Sequence, residues 1–428
     1  MGKKLSFGAT IALMAITAAV TFSISYMVAM NKFNATVADV NERQAMYAKL
    51  SEIDQTVRQN FLGEIDEAKL KDGICGGYIA GLQDSAGQYL SAAKYQEYLA
   101  GTQEKYVGIG VETVADADGN MEIVVVFPNS PASEQGLKKG DTIVKIDKSD
   151  VKRIGYADAV NKLDGDVGST VELTLLREAE NAGGEETAAD GPKTLNVTIK
   201  RSEYEETTVS SHIVNDVIGV VAISDFTSST PAEFQTAIDS LMESGIAGLV
   251  FDVRNNPGAD VEAAAKVLDI LLPAGNLISA VDRNGKETVL YTSDASELGL
   301  PMRVLVNDGT YSAAELFASA VKDYKKNCVI GETTAGRGSQ EKVVPLSDGS
   351  AVIISVGSYQ TPKSGVFTGV GIKPTAEIAM SPEQRELLNR RMLQDTEDPQ
   401  LQAAVTALGG GSIQAGSGED TPSGAGAE

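Results

Sequence analysis

The sequence predicts an α+β multidomain chain: a transmembrane N-terminal helix, a helical segment, a β domain of short strands and a mixed α/β core. Three observations carry this reading. Residues 7–30, "FGATIALMAITAAVTFSISYMVAM", run 24 residues without a charge, and about 20 apolar residues suffice to span a bilayer as a helix. From about residue 104 the pattern changes to short alternating strands separated by Gly, Pro and Asp turns. From about 215 to 380, buried-type strands alternate with amphipathic helical stretches.

Taken in order, Lys3 and Lys4 precede the uncharged run and an acidic body follows it. The positive-inside rule then places the N-terminus in the cytoplasm and the body outside, as a single-pass cell-membrane protein. A cleaved signal peptide would carry an apolar region of only about 7–15 residues, so an uncleaved anchor is expected over 1–34. Residues 35–103 read as helical, with Leu70, Ile74, Tyr78 and Leu82 at helical spacing. Residues 104–203 hold the strands "EIVVVF", "TIVKI" and "TVELTLL". The acidic stretch 178–192 is a solvated loop between two strands that can pair as a hairpin.

In the core, over 204–380, "VIGVVAI" and "AGLVFDV" read as buried strands. "PAEFQTAIDSLMES" and "ADVEAAAKVLDILL" read as amphipathic helices, and "RVLVND" leads into the helix-like "SAAELFASAVKDY". A helical segment follows over 381–408, and the Gly- and Ser-rich residues 409–428 form a flexible tail.

Composition narrows the chemistry. A net charge of −23 opposes nucleic acid as a partner, because a binder needs positive surface to displace phosphate counterions. His212 is the one histidine, so a His-based metal site cannot be assembled and a Ser-His-Asp triad would have to use it. It lies between a strand and an apolar run with no acidic orienter at a telling spacing, and reads as an ordinary strand or loop residue. Cys75 and Cys328 lack ligand-like spacing and read as buried thiols. No cofactor is called for.

Three segments can build a site. In "VNDGTYSAAELF" a strand ends at Asn307, a glycine turn follows, and Ser312 opens a helix whose first N–H groups can donate to a developing oxyanion. Alternatively Ser312 is a helix N-cap that forms a capping box with Glu315. "FDVRNNPGAD" runs from a strand into a turn whose glycine can present another N–H. "TTAGRGSQEKVVPL" carries glycines that allow close backbone approach.

Together these segments resemble the carboxyl-terminal processing peptidases, or tail-specific proteases, over about residues 40–378. The ordered set comprises "GGYIAGLQDSAGQYL", "YVGIGVE", "SPASEQGLKKGDTIVKID", "ISDFTSST", "GLVFDVRNNPGA", "NDGTYSAAE", "GETTAGRG", "VPLSDGS" and "YQTPKSGVFTGVGIKPT". The resemblance implies a PDZ-like peptide-binding domain over 104–203 and a peptidase core over 204–380. In that family a serine nucleophile is activated by a neutral lysine, with a glutamine helping to position it. The serine maps onto Ser312 and the oxyanion donors onto the backbone of Ala313 and Gly258. The loop that holds a substrate's C-terminal carboxylate maps onto Val107, Gly108, Ile109 and Gly110.

The chain departs from the family pattern at three places. Counted back from "VVPLSDGS", the lysine position is Arg337 and the glutamine position is Glu341, while Ala259 stands where a second glycine is usual. Burial can lower a lysine from about 10.4 by about 3–5 units, but arginine stays charged in proteins. Arg337 is therefore not a general base. It can pair with Glu341, whose own acidity a neighbouring arginine should increase. Lys342, five positions on, would point to the opposite face of a continuous strand.

The expectation is a membrane-anchored extracytoplasmic serine endopeptidase acting on polypeptides with free C-termini. The alternative is a catalytically impaired relative that only binds peptides. A homo-oligomer is left open.

Overall fold

The computed structural model describes residues 7–101, 106–178, 192–294 and 297–413. The chain divides into two compact units, Met1–Cys75 and Gly76–Glu428.

The first unit is built on one helix, Phe7–Asn60. Among the described residues no helix is long and apolar enough to cross a membrane. The transmembrane helix expected over 7–30 is therefore corrected. Within it the Thr21 hydroxyl donates back to the Thr17 carbonyl at 2.8 Å. The same helix then continues through charged residues without a break. A second helix, Glu67–Ala80, carries Leu70, Ile74 and Tyr78, while Leu82 lies beyond its end.

In the second unit, a sheet of Val111–Ala115, Met121–Val126, Thr142–Ile146, Thr170–Arg177 and Lys193–Lys200 pairs in that order, with Ser149–Asp150 beside Thr142–Ile146. Alternation along these strands buries Met121, Ile123, Ile143, Ile146, Val171, Leu173, Leu175 and Ile199 against the helix Tyr156–Leu163. The expected hairpin forms with Thr170 opposite Lys200 and Arg177 opposite Lys193. The loop expected over 178–192 lies, from 179 to 191, outside the described residues.

The core centres on a sheet ordered Val209–Val214, Ile218–Ile223, Gly248–Asp252, Met302–Val306, Val329–Gly331, Ala376–Glu377. Its first pair is antiparallel and the rest are parallel. Parallel strands covered on both faces read as continuous apolar runs, which is why "VIGVVAI" lacks alternation. One face is covered by the helices Thr230–Glu243, Val261–Leu271 and Ser312–Tyr324. Phe226, Phe234, Phe251 and Phe317 fill this layer, the last two meeting edge to face at 5.8 Å. On the other face Leu401, Ala404 and Val405 of the helix Pro399–Ala407 cover Val220, Val250, Leu305 and Ile330. A second sheet has Ala351–Thr361 at its centre, with Ser339–Pro345 and Gly275–Asp282 against it.

Of the expected tail, residues 414–428 lie outside the described residues, but 409–413 are held. The Ile413 N–H donates to Gln402 Oε1 at 3.1 Å, and Asn215 Nδ2 donates to the Gly410 carbonyl at 2.7 Å. Both cysteines are free; Cys328 is buried, as expected, with its thiol pushed up to about 11, whereas Cys75 is only half-buried.

Candidate active site

Four neighbouring strands of the core sheet, ending at Ile223, Asp252, Val306 and Gly331, release four loops at their carboxyl ends. In open α/β sheets this edge is where loops converge on ligands. Every site residue expected in the core comes from these loops or from the strand that follows the last of them.

The loop after Val306 delivers Ser312. It is laced to the loop after Asp252 by a reciprocal amide pair: Asn255 N–H donates to Asn307 Oδ1 at 2.9 Å, and Asn307 Nδ2 donates to Asn255 Oδ1 at 2.8 Å. The Thr310 hydroxyl, wholly buried, reaches the Val253 carbonyl at 2.9 Å. Two turns thus behave as one rigid piece.

Ser312 is not the N-cap. Tyr311 occupies that position with no side-chain bond, and Ser312 is the first helical residue, with φ of 47°. Positive φ is uncommon for a residue with a Cβ and persists where surroundings over-determine it. Here the buried carboxylate of Glu315 does so. It accepts the Ser312 N–H at 3.1 Å, the Gly336 and Arg337 N–H groups at 2.7 Å each, and the Thr334 hydroxyl. Burial pushes the Glu315 carboxyl up against the pull of these four donors. Only half of the expected capping box survives, and its glutamate serves the neighbouring loop instead. The Ser312 hydroxyl has no hydrogen-bond partner among the described residues.

Ala313 and Gly258 meet, though not as two free donors. The Ala313 N–H points at the Gly258 carbonyl at 3.3 Å, and the Gly258 N–H donates to Asn256 Oδ1 at 2.8 Å. Gly258 must lack a side chain: its φ is +64°, and a Cβ would sit 2.3 Å from the Tyr311 carbonyl oxygen. The following Ala259 N–H donates to Asp225 Oδ1 at 3.0 Å.

Arg337 is exposed and lays its guanidinium over the Tyr311 ring, 4.4 Å from the centroid. No ion pair joins it to Glu341 among the described residues. Glu341 lies in the strand Ser339–Pro345, opposite Ser355, whose N–H and hydroxyl donate to Asp84. Partial burial pushes the Glu341 carboxyl above its ordinary range, Asp84 adds to this, and Arg337 opposes it without prevailing. The downward push expected from Arg337 is therefore outweighed by desolvation.

In the β domain, Val107 and Gly108 lie in the short strand Tyr106–Gly108, paired with Ser202–Tyr204, and Ile109 and Gly110 follow. The Ile109 carbonyl accepts from Ala132 at 2.8 Å and the Gly110 carbonyl from Phe127 at 3.1 Å. Their N–H groups have no acceptor among the described residues. The adjoining strand Val111–Ala115 is a sheet edge, and the Tyr156 hydroxyl caps its Thr113 carbonyl at 2.5 Å. A peptide adding to this edge has to displace that hydroxyl. The Asp164 carboxyl stands against Gly108, where a Cβ would be 2.7 Å from Oδ1, and burial pushes it up.

His212 acquires an acidic neighbour after all: Asp395 Oδ2, from far along the chain, lies 2.7 Å from its Nε2. Sequence reasoning also missed Asp225, Asn256, Arg254 and Asp398. The available signal was positional, since the first three follow buried strands at the edge where loops converge. Asp398 gave none.

Residues 217–378 match the model of peptidase family S41 and residues 106–200 that of the PDZ domain. The chain is 30% identical over 366 residues to the carboxy-terminal processing protease CtpA of Bacillus subtilis, covering 85% of this chain and 76% of that one. It is 32% identical over 320 residues to the chloroplastic C-terminal processing peptidase of Tetradesmus obliquus, covering 71% and 67%. A crystal structure of an S41 protease from Bacteroides fragilis matches with a TM-score of 0.55 at 19% identity, covering 84% of this chain and 97% of that one; this likeness concerns fold alone.

Proposed function

Because the chain belongs to peptidase family S41, a family of serine-type carboxy-terminal processing proteases that carry a PDZ domain, we propose that it is an endopeptidase that holds polypeptide C-termini in its PDZ loop and cleaves with Ser312. The observation that carries this reading is the backbone of Ser312. A non-glycine residue held at φ of 47° between a strand end and a helix start, with its hydroxyl unengaged, is strain retained where a side chain must be presented. The Ser312 hydroxyl attacks the scissile carbonyl, and Ala313 N–H supports the oxyanion. Arg337 cannot take the serine proton. Glu341, with its raised carboxyl, accepts it through water, which makes turnover slow.

A second reading has its own support: the two expected oxyanion donors are both engaged, and position 337 carries an arginine rather than a lysine. Under it the chain binds C-termini without cleaving them.

One experiment separates these. Cleavage of an unfolded protein at neutral pH is expected to be slow and to vanish in Ser312→Ala. Equal background rates in wild type and Ser312→Ala would leave the binding reading. For the PDZ half, a peptide with a free C-terminal carboxylate is expected to bind at least about tenfold more tightly than its C-terminal amide, since the Ile109 and Gly110 N–H groups suit an anion. Asp164→Asn should tighten binding of the carboxylate form by removing a like charge. Fluorescence anisotropy reads both, and equal affinity of acid and amide would sink the carboxylate role.

A further inference from the structure

We infer that the peptide unit between Gly258 and Ala259 is a latch over the oxyanion site, and that Asp225 is the positioning residue that holds it shut. The inference rests on Ser312 being the nucleophile. In the observed state both ends of this one planar unit are engaged. Its carbonyl accepts the Ala313 N–H at 3.3 Å, and its N–H donates to Asp225 Oδ1 at 3.0 Å. The Asp225 carboxylate is itself fixed, since Oδ1 also accepts the Phe226 N–H at 2.7 Å, and the Phe226 carbonyl accepts from Asp260 at 3.0 Å.

A carbonyl oxygen beside Ala313 N–H occupies the place where an oxyanion has to form, and two oxygens of like partial charge cannot share it. Shifting Gly258 as a whole is blocked, because its N–H is bound to Asn256 Oδ1, whose amide nitrogen donates to the Ile223 carbonyl at 2.7 Å. The unit can still turn about its own axis. A half-turn withdraws the carbonyl, frees Ala313 N–H, and brings the Ala259 N–H to the same side, so that two donors converge.

Two features oppose the turn. It breaks the charge-assisted bond to Asp225, whose carboxyl burial already pushes up and which depends on its N–H partners. It also carries φ of Ala259, which is not positive in the observed state, by about 180° into the region that a Cβ disfavours. Glycine at 259 would meet no such resistance. Asp225 and the Ala259 methyl group therefore favour the closed state from opposite ends of one bond.

The test uses the full chain with Asp225→Asn and Ala259→Gly, and two readouts. Amide hydrogen exchange at Ala259 and Ala313 reports the latch itself. Labelling by a fluorophosphonate reports the serine: the Oγ–P bond forms, the P–F bond breaks, fluoride leaves, and the proton passes to solvent. Each variant should speed exchange at both amides by about tenfold, with exchange in the central strand Gly248–Asp252 unchanged, and should speed labelling by about the same factor. Unchanged exchange at both amides in both variants overturns the latch whatever the labelling does. Faster exchange with no labelling beyond that of Ser312→Ala keeps the latch and overturns the nucleophile on which it was built. A gain in labelling is not what structural damage produces, and Ala259→Gly covers the case in which Asp225→Asn fails to fold.

Discussion

Replacing Arg337 by Lys together with Glu341 by Gln is expected to raise turnover of an unfolded protein substrate by about 10²–10⁴-fold, the range that a positioned general base supplies. The argument starts from the backbone. Arg337 N–H is pinned to Glu315 Oε2 at 2.7 Å, and the same carboxylate holds the Ser312 N–H. A side chain at 337 therefore starts from a point fixed relative to Ser312, whichever cation it carries. An arginine so placed rests on Tyr311 and stays charged. A lysine can give up its proton as pH rises, which arginine cannot. Glu341 would hold that amine in its charged form, which is why the second substitution belongs with the first. Because the working form is the neutral amine, the rate should climb as pH rises toward the ordinary lysine value of about 10.4. Initial rates between pH 6 and 10 test this. A double variant no faster than wild type, with wild-type cleavage still dependent on Ser312, would mean that the chain uses a different base.

The second large effect concerns stability. Asp398→Ala is expected to cost about 3–5 kcal/mol, the usual penalty for stripping a buried charge of its partner. The Arg254 side chain is only 4% exposed and binds Asp252 Oδ2 at 2.5 Å, Asp398 Oδ2 at 2.7 Å and Gln400 Oε1 at 3.0 Å. Asp398 also caps the helix Pro399–Ala407 by accepting from Gln400 and Leu401. Its loss therefore leaves the guanidinium with one carboxylate, Asp252, in place of two and frays the helix that covers one face of the core sheet. Against a total stability of about 5–15 kcal/mol this is a large fraction. A denaturant midpoint that moves by the equivalent of less than about 1 kcal/mol would show that Arg254 finds water or another acceptor. Arg254 directly precedes the turn that carries Gly258, so the reach of this network extends to the site.

Much of the site was legible because the chemistry depends on local chain signals. A strand followed by "NDGTYSAAE" announces a residue presented at a helix start, and "NNPG" announces a turn needing a glycine at positive φ. Such signals pointed to Ser312 and to the glycine turn, the family resemblance assigned roles to Ser312, Ala313 and Gly258, and Ala313 and Gly258 do meet. The transmembrane reading rested on a run without charge, and it is overturned because among the described residues no helix is long and apolar enough to cross a membrane. The effect of Arg337 on Glu341 was judged from sequence proximity alone. Desolvation and Asp84, which accepts from the Ser355 that stands opposite Glu341, outweigh it.

By itself the sequence determined the fold class of the β domain and the core, the placing of Ser312 where a strand and turn give way to a helix, and the absence of an amine at position 337. Those properties follow from periodicity, turn chemistry and residue identity, which are local. Only the tertiary structure decided which donors face which acceptors. Glu315 abandons a simple cap to bind a loop about 20 residues away, Asp225 reaches Ala259 from the loop after another strand, and Asp398 pairs with Arg254 across 144 positions. A buried polar group takes whatever partner the fold brings within about 3 Å, and sequence separation has no bearing on that distance.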